Sequence, residues 1–335
     1  MKPLLHLFCV AVMHVSCTEE QKPNVVIFYA DDLGWGDLRV NNSDPSYFRH
    51  SPNIDEIVTR GIMMSNYLTL CVCSPSRAGL LTGKHYAKVH SGPETGGSLP
   101  SGISNIARDF KASGYKTGAF GKWHNGMPNF PAKGNGHRVD YDEVKVWNEL
   151  HQVWTCDLEN GVFENSKGWE WGEGVNAYGF DRWVGYYAGG GDLFDRFSNW
   201  HHDINWWHDR SYVPEEKGYT TDLITKHAID FIVENEDEPF FCYIPHEAVH
   251  CPLQIKLSDL KELCTHFPGE WDFVRNIVSP TTGRKIEDVE ELRCEVGAEF
   301  DFLKIDPQRE HYMRLVYATY LYSLDKNVGA VVQKI

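Results

Sequence analysis

The amino-acid sequence predicts an α/β protein whose central sheet is mostly parallel and is sandwiched by helices. The first observation is the run VVIFYA at 25–30, which is apolar, β-branched and aromatic without interruption. Such a run is typical of a strand buried on both faces, as in a parallel sheet. The second observation is that similar runs alternate with segments of helical spacing, which indicates βαβ units. A chain of 335 residues is long enough for one large α/β domain or two smaller ones.

The individual elements follow from local patterns. Segment 51–61 has helical spacing of its apolar residues and ends at Gly61, and the next helical pattern stops before Gly114. In chain order we predict strand 25–30, helix 51–61, helix 103–112, strand 116–120, helix 220–234, strand 240–244 and a long helix from 312 almost to the last residue. Two stretches, about 126–216 and 255–308, lose this pattern and are predicted to be long loops.

The composition argues against one class of partner. The formal net charge is −15 at pH 7, and 42% of the residues are hydrophobic. Nucleic acid or an anionic membrane as the main partner would require a basic surface, which this charge disfavours. An anionic substrate would need a local cluster of cationic side chains. The 9 cysteines show no repeated pairing pattern, so no disulfide framework is predicted.

Residues 1–20 have the features of a secretory signal peptide. Lys2 precedes a short apolar segment, 4–15, and small residues follow at Ser16 and Cys17. The apolar segment is too short to span a bilayer. We therefore predict export to a periplasmic, secreted or lysosome-like compartment. A lipoprotein anchor at Cys17 is the less favoured alternative, because His14 stands where an aliphatic residue is usual.

Charged side chains follow three of the predicted strands. Asp31 and Asp32 follow the first strand, Lys122 and His124 follow the strand near 120, and His250 follows the strand near 240. Ligands of doubly wound sheets bind beyond the carboxyl ends of the strands, so we expect these side chains to meet there. Two carboxylates about 4 Å apart repel by ~4 kcal/mol at an effective dielectric of 20, and a bound Ca²⁺ or Mg²⁺ would reverse that repulsion.

Each of these motifs also has a purely structural interpretation. The two acids fit a solvated turn in which one aspartate caps a helix. Lys122 and His124 suit an anion site with proton transfer, but such clusters are also common in surface loops. A histidine such as His250 is more often a hydrogen-bond partner than a catalyst, and His246 could share a helical face with it.

The most specific motif is CVCSPSRAGLLTG at 71–83. No second Cys or His pair follows at the spacing of a zinc site, and a disulfide between Cys71 and Cys73 would be strained. From Cys73 onward the segment matches the pattern C-x-P-S-R-x-x-x-L-T-G without departure. The chain therefore resembles the sulfatase family, a branch of the alkaline-phosphatase superfamily. The resemblance extends over about 22–335 through NVVIFYADDLGWGD, SPNID, GYKTGAFGKWHNG, VHCPLQ and YLYSLDKNVGAVV.

The resemblance implies that Cys73 carries the reaction. In sulfatases this cysteine is oxidised by a separate maturase to Cα-formylglycine, whose hydrate attacks the sulfur of a sulfate ester. A second hydroxyl then allows sulfate to leave, whereas a serine would stay trapped as its own ester. By the same resemblance, Arg77 holds the hydrate and orients the loop. Lys122, His124 and His250 would bind the sulfate, and one of them would protonate the leaving alcohol.

The resemblance also implies a metal ion. Asp31, Asp32 and the formylglycine at Cys73 would ligate Ca²⁺, with Mg²⁺ as the alternative. Lys84, just after Leu-Thr-Gly, would either assist the hydrate or only pack.

The expected substrate is a sulfated small molecule or glycan, because exported relatives mostly act on sulfated polysaccharides. Trp200, Trp206 and Trp207 could stack on sugar rings, or they could fill the core of a loop. A phosphonate or phosphodiester hydrolase of the same superfamily is the alternative enzyme, since sulfate and phosphate groups are both tetrahedral oxyanions. GKWHNG and VHCPLQ favour the sulfatase.

The resemblance describes 21–335 as an N-terminal catalytic domain that is incomplete at its C-terminus. In the family, an Asp-Asn pair of metal ligands follows on a further central strand, and a catalytic lysine comes later. We expect the neighbours of that strand to expose apolar faces. Three interpretations stay open: a fragment of a longer sulfatase, a truncated non-catalytic glycan-binding protein, or a chain whose partner supplies the rest.

Overall fold

The computed structural model describes residues 22–44, 48–89, 99–128, 154–157, 162–165, 171–172, 174–187, 189–194, 206–209, 211–213, 216–278, 283–289, 291–292 and 307–335. The predicted signal peptide at 1–20 lies outside the described residues.

Strands and helices alternate along the described part of the chain. The helices are α1 (Pro52–Arg60), α2 (Cys73–Thr82), α3 (Ile106–Ala112), α4 (Thr220–Glu234), α5 (Leu257–Cys264), α6 (Glu270–Val274) and α7 (Pro307–Val332). The strands are β1 (Val25–Tyr29), β2 (Lys116–Lys122), β3 (Met127–Pro128), β4 (Trp154–Asp157), β5 (Val162–Asn165), β6 (Trp171–Gly172), β7 (Arg182–Tyr186), β8 (Trp207–His208), β9 (Ser211–Tyr212), β10 (Phe240–Pro245), β11 (Ile255–Lys256) and β12 (Glu291–Leu292).

A six-stranded sheet forms the centre, in the order β1-β10-β2-β7-β8-β9. Strands β1, β10, β2 and β7 are parallel, with Val25 opposite Phe241 at one end of the register. Strands β8 and β9 extend the sheet in antiparallel pairing. The predicted α/β class with a mostly parallel sheet is therefore confirmed. The predicted strands 25–30 and 240–244 appear as β1 and β10, and β2 runs two residues further than predicted.

Helices cover both faces of this sheet, as the alternation of side chains along β10 shows. Phe240 and Cys242 belong to a buried cluster with Ile224 and Phe231 of α4. Phe241, on the opposite face, belongs to a second cluster that includes residues of α2 and α3. A fully buried aliphatic or aromatic side chain contributes about 1.5–3 kcal/mol. Burial on both faces thus explains why this strand is uninterruptedly apolar.

Helix α2 was not among the predicted elements, although it carries the most specific motif. Its sequence, CSPSRAGLLT, contains serine, proline and glycine, which have low helix propensity. Pro75 is the third helical residue, where the missing N–H would have no intrahelical partner. The helix ends at Gly83, whose φ of 64° forms a left-handed cap and whose N–H donates to the carbonyl of Gly79.

The structure corrects the prediction of long loops at about 126–216 and 255–308. The first stretch contains β7, a fully integrated strand of the central sheet, and the hairpin of β8 and β9. The second contains α5 and α6 and a short β11–β12 pair. These elements are short, from two to eight residues, so their periodicity is too brief to stand out in the sequence.

One edge of the central sheet is formed by β1, whose five residues are only half-buried. A segment after α1 is also apolar and exposed: Ile62 is 93% and Leu68 is 92% exposed. An edge strand presents unpaired backbone groups, and large exposed apolar side chains indicate a surface that another element covers. The expectation of a further strand beyond this chain stays a prediction.

The contacts of β2 with its two neighbours, β10 and β7, depend on glycine. Gly121 and Gly185 are paired in the register, and Gly121 has a φ of 129°. A Cβ at Gly121 would overlap the carbonyl oxygen of Pro245 and lie 2.9 Å from its carbon. Because Gly121 directly precedes Lys122, this close approach also sets the position of the lysine.

We expect Gly121→Ala to lower the free energy of unfolding by about 3 kcal/mol or more, because backbone strain and overlap with a neighbouring strand add up. Gly269→Ala is a matched control, since its φ is also positive (93°) and its surroundings are open. The control should lose only about 1–2 kcal/mol. Urea denaturation followed by circular dichroism measures both; equal losses would contradict the role of the close approach between β2 and β10.

Candidate active site

The charged motifs meet at the carboxyl ends of the parallel strands, as predicted. Asp31 follows β1, Lys122 ends β2, and the segment 246–250 follows β10. The N–H of Asp31 donates to the carbonyl of Ala248 at 3.0 Å, and the N–H of Val249 donates to the carbonyl of Asp31 at 2.8 Å. These two backbone hydrogen bonds join the β1 and β10 ends into one rim.

A buried carboxylate with two buried cations forms the floor of the site. Asp31 accepts a hydrogen bond from Nζ of Lys122, and its Oδ2 lies 3.5 Å from Nη2 of Arg77. Arg77 also donates from Nη1 to the carbonyl oxygen of Lys122 at 2.7 Å. Burial raises the pKa of Asp31, but the charges of Arg77 and Lys122 outweigh it and lower the pKa to about 2. The carboxylate is therefore ionised near neutral pH, and the floor carries a net positive charge.

Cys73 lies beside this floor at the first turn of α2. Its Sγ is 3.0 Å from Nδ1 of His124. The turn that precedes it is fixed by Ser76, whose hydroxyl donates to the carbonyls of Leu70 and Val72. Burial, together with the charges of nearby Lys122 and Arg77, lowers the pKa of His124 well below its ordinary value. His124 is therefore a neutral imidazole at neutral pH.

Asp32 and His250 form the outer part of the site. Asp32 adopts a left-handed backbone with a φ of 56°, and its side chain is 61% exposed. Nε2 of His250 lies 3.6 Å from Oδ2 of Asp32. Nδ1 of His250 lies 2.5 Å from the carbonyl oxygen of Cys251, which can only accept, so Nδ1 carries the proton. In the neutral ring, Nε2 is then the unprotonated nitrogen.

The structure thus brings together seven of the eight predicted site residues, namely Asp31, Asp32, Cys73, Arg77, Lys122, His124 and His250. Lys84 is exposed beyond the C-terminal end of α2, ten helical residues (~15 Å) from Cys73, and no described contact joins it to the cluster. The interpretation that His246 and His250 share a helical face is wrong. His246 directly follows β10 and is fully buried, while His250 lies in the turn beyond it.

The tryptophan interpretation is also decided for two positions. Trp206 and Trp207 are 0% and 1% exposed, so they fill the core and cannot present a ring face to a sugar. Trp200 lies outside the described residues.

The sequence prediction missed a glycine segment that covers the two histidines. A Cβ at Gly189 would lie 3.0 Å from Cε1 of His124, and one at Gly190 would lie 3.6 Å from Cε1 of His250. The N–H of Gly191 donates to Oε1 of Glu247 at 2.9 Å. Three consecutive glycines in a stretch predicted to be a loop were the available signal, since glycine is required where backbone approaches a ring closely.

Glu247 is fully buried at this site and supplies a pH dependence. Burial raises its pKa to about 7, against the opposing effects of Lys122 and of the Gly191 N–H. Because the pKa of Glu247 is higher in the folded protein, the folded protein holds this carboxyl proton more tightly than the unfolded chain does. The protonated Glu247 side chain therefore contributes its full share to the stability of the fold below about pH 4.5. This contribution is lost as the pH rises to about 7.

We expect Glu247→Gln to flatten this part of the stability profile, because glutamine keeps the shape and does not ionise. Urea unfolding of both proteins across that pH range measures the difference in slope. Glu238→Gln, at an exposed carboxylate (57%), is the control and should keep the wild-type slope. A wild-type slope in Glu247→Gln would contradict the prediction.

The carboxylate oxygens at the site are of the type that a hard divalent cation prefers, but they supply only part of its ligands. Asp31 and Asp32 place two carboxylates at the same strand end, and carboxylate oxygens suit Ca²⁺ or Mg²⁺. Two carboxylates supply at most four of the six to eight oxygens that Ca²⁺ takes. The described residues would thus form one side of such a site.

A mostly parallel sheet with a charged cluster beyond its strand ends is the arrangement of α/β proteins that bind ligands at the carboxyl ends of their strands. The family model Sulfatase matches residues 23–335, so the chain belongs to the sulfatase family. The N-acetylgalactosamine-6-O-sulfatase of Bacteroides thetaiotaomicron is 28% identical over 274 residues, which are 69% of this chain and 49% of that protein. Human arylsulfatase D is 29% identical over 278 residues, 69% of this chain and 45% of that protein. The chain spans about half the length of these relatives.

Solved structures show the same fold. The crystal structure of Ps i-CgsB in complex with k-i-k-neocarrahexaose has a TM-score of 0.58 at 24% identity, covering 94% of this chain and 55% of that one. The structure of BT4656 in complex with its substrate D-glucosamine-2-N,6-O-disulfate has a TM-score of 0.55 at 18% identity, covering 94% and 62%. Among the described residues, no helix has both the length and the apolar character needed to cross a membrane.

Proposed function

We propose that the protein hydrolyses a sulfate monoester, with Cys73 converted to Cα-formylglycine as the nucleophile. The observation that carries this proposal is the position of the signature cysteine. Its Sγ lies 3.0 Å from His124, next to the buried group of Arg77, Lys122 and Asp31. In the structure, Sγ stands in for an oxygen of the aldehyde hydrate. The hydrate supplies a nucleophilic hydroxyl and a second hydroxyl whose deprotonation lets sulfate leave.

The cationic floor would bind the sulfate group. Lys122 and Arg77 are fully buried, and Asp31 neutralises only one of their two charges. The remaining positive charge, held where water is largely excluded, attracts a tetrahedral oxyanion more strongly than an exposed cation would. This local excess of positive charge overcomes the net charge of −15 of the whole chain.

His124 and His250 would have two different roles, orienting the nucleophile and protonating the leaving alcohol. His124 is neutral and contacts residue 73, so it can orient the nucleophile by a hydrogen bond. His250 has Nδ1 fixed by the Cys251 carbonyl, which leaves Nε2 to hold the proton that a leaving alcohol requires. Asp32, 3.6 Å away, would stabilise the protonated ring.

We further propose that Asp31 and Asp32 help to hold Ca²⁺, with Mg²⁺ as the alternative. When bound, such an ion would lower the pKa of the hydrate and polarise a sulfate oxygen. The proposed substrate is a sulfated glycan. This is supported by the N-acetylgalactosamine-6-O-sulfatase relative and by the fold shared with Ps i-CgsB and BT4656. A formylglycine-generating maturase would act on the chain, and residues 1–20 support export.

Two measurements on the intact protein, co-expressed with the maturase, test this proposal. Mass spectrometry of the tryptic peptide containing residue 73 should show the aldehyde in place of the thiol. Turnover of an aryl sulfate should exceed that of an aryl phosphodiester. In a screen of defined sulfated sugars, 6-O-sulfated N-acetylgalactosamine is the first compound to test. An unmodified Cys73 would favour a non-catalytic glycan-binding protein. Faster cleavage of the diester would instead assign the chain to phosphodiester hydrolysis.

A further inference from the structure

A second polar cluster lies in the region of the β8–β9 hairpin. It consists of His208 of β8, Glu216 in the segment after β9, and His227 of α4. Nε2 of His208 lies 2.7 Å from Oε2 of Glu216, and Nε2 of His227 lies 2.7 Å from Oε1. One ligand atom from each residue falls within 4.8 Å of the others. A strand, a connecting segment and a helix therefore each supply one residue, and none of these residues belongs to the candidate active site.

The chemistry of this cluster suits a transition-metal ion. Two imidazoles and one carboxylate are a donor set that Zn²⁺ uses, with a fourth position left to water. Hydrogen bonds from Trp206, His208 and His227 outweigh the effect of burial and lower the pKa of Glu216 to about 2. The carboxylate is thus ionised and only accepts, so Nε2 of each histidine carries a proton toward it, and these two protons would be released to water when an ion binds at Nε2.

The surroundings resemble those of a metal site in two further ways. The indole N–H of Trp206 donates to Oε2 of Glu216, as outer hydrogen bonds do in orienting ligands. His227 is only 5% exposed, and this burial restricts the movement of its ring. The 35% exposure of His208 leaves a path for an ion to enter.

We propose that His208, Glu216 and His227 bind one Zn²⁺ ion, which fastens the β8–β9 hairpin to helix α4 outside the active site. Zinc is favoured over Ca²⁺ or Mg²⁺ because two of the three ligands are imidazoles. The ligand atoms, now 2.7 Å apart in hydrogen bonds, must separate to admit an ion with bonds of ~2.0–2.2 Å, a movement that the half-buried His208 can supply. This site does not depend on the proposed sulfatase reaction.

The matched control is the His311–Glu270 pair, which has a similar geometry and exposure. Nε2 of His311 lies 2.6 Å from Oε2 of Glu270, with exposures of 38% and 18% against 35% and 19% for His208 and Glu216. Among the described residues, this pair belongs to no group of three or more metal-ligating side chains. An ordinary histidine–glutamate pair should therefore not bind zinc tightly.

Calorimetric titration of the metal-free intact protein with Zn²⁺, in excess Ca²⁺ to occupy oxygen-rich sites, tests the proposal. We expect one zinc per chain, an at least 100-fold weaker affinity in His208→Asn and His227→Asn, and an unchanged affinity in His311→Asn. Zinc bound equally by all four proteins would place the ion elsewhere and overturn the proposal. The absence of stoichiometric binding in the wild type would also overturn it.

A spectrum of the wild-type protein keeps the proposal testable if a variant fails to fold. Co²⁺ added in place of Zn²⁺ should give the intense visible absorption of a tetrahedral site, and competing Zn²⁺ should remove it. A weak spectrum typical of an octahedral, oxygen-rich site would contradict a His₂Glu ligand set. Neither measurement uses catalytic activity, so failure here and failure of the proposed sulfatase function are separate outcomes.

Discussion

Replacing Cys73 by alanine is expected to lower the turnover of a sulfate ester by the intact, matured protein by at least about 10⁴-fold. The proposed nucleophile derives from this side chain, which contacts His124 at the first turn of α2. Cys73→Ser should support no more than a single turnover, because a serine sulfate ester has no second hydroxyl to release it. Steady-state kinetics and a single-turnover measurement distinguish the two variants.

Cys71→Ala is the natural control for this experiment. Cys71 is two residues earlier, is exposed and precedes the helix, so its loss should leave turnover within about twofold of the wild type. Comparable activity of Cys73→Ala and the wild type would rule out residue 73 as the nucleophile. Loss of activity in both variants would point to the fold of the segment rather than to the chemistry of one thiol.

Asp31→Ala is expected to lower the free energy of unfolding by about 3–5 kcal/mol, because it leaves two buried cations without a counter-charge. Lys122 and Arg77 are both 0% exposed, and both are paired with this carboxylate. Asp32→Ala is the matched control, since Asp32 is the next residue and its side chain is 61% exposed. The control should lose no more than about 1 kcal/mol, most of it because alanine tolerates the left-handed backbone at this position less well than aspartate does. Urea denaturation of the metal-free proteins measures both values.

The effect of Asp31→Ala should also depend on pH. The pKa of Asp31 is lowered from 3.8 to about 2 in the folded protein, so its stabilising contribution is complete above about pH 3.8. That contribution is lost as the pH falls through about 2, where the native carboxylate becomes protonated. The stability difference between wild type and variant should therefore shrink on acidification. A difference that stays constant through this range would show that packing, and not charge, explains the loss.

The parts of the fold that could be predicted from the sequence are those with long, uniform patterns. Strands β2 and β10 are almost completely buried and β1 is half-buried, and both β1 and β10 are uninterrupted apolar runs. Their ends could be located, and so the charged residues after them could be placed at one rim. Helices α4 and α7 have 15 and 26 residues, long enough for periodicity to show.

The remaining parts depend on contacts between segments far apart in the chain. Strand β7 pairs with β2, with Gly185 opposite Gly121, and no local sequence pattern predicts that pairing. The roles of Trp206 and Trp207 could not be decided, since an aromatic side chain suits a sugar surface and a core equally well. Glu247 was missed because only the folded structure shows that Gly191 and Lys122 surround it. Residue types thus indicated the chemistry, and tertiary contacts decided which of them take part.

The half-buried edge strand β1 and the apolar segment with Ile62 and Leu68 have a practical consequence for anyone producing this chain. The backbone groups of an edge strand can pair with a strand of a second molecule. Exposed apolar side chains nearby increase the tendency of the molecules to associate in this way. Recombinant material is thus expected to form concentration-dependent aggregates, visible as a rise in light scattering. Charged substitutions at these two aliphatic positions are the first changes to try in order to improve yield.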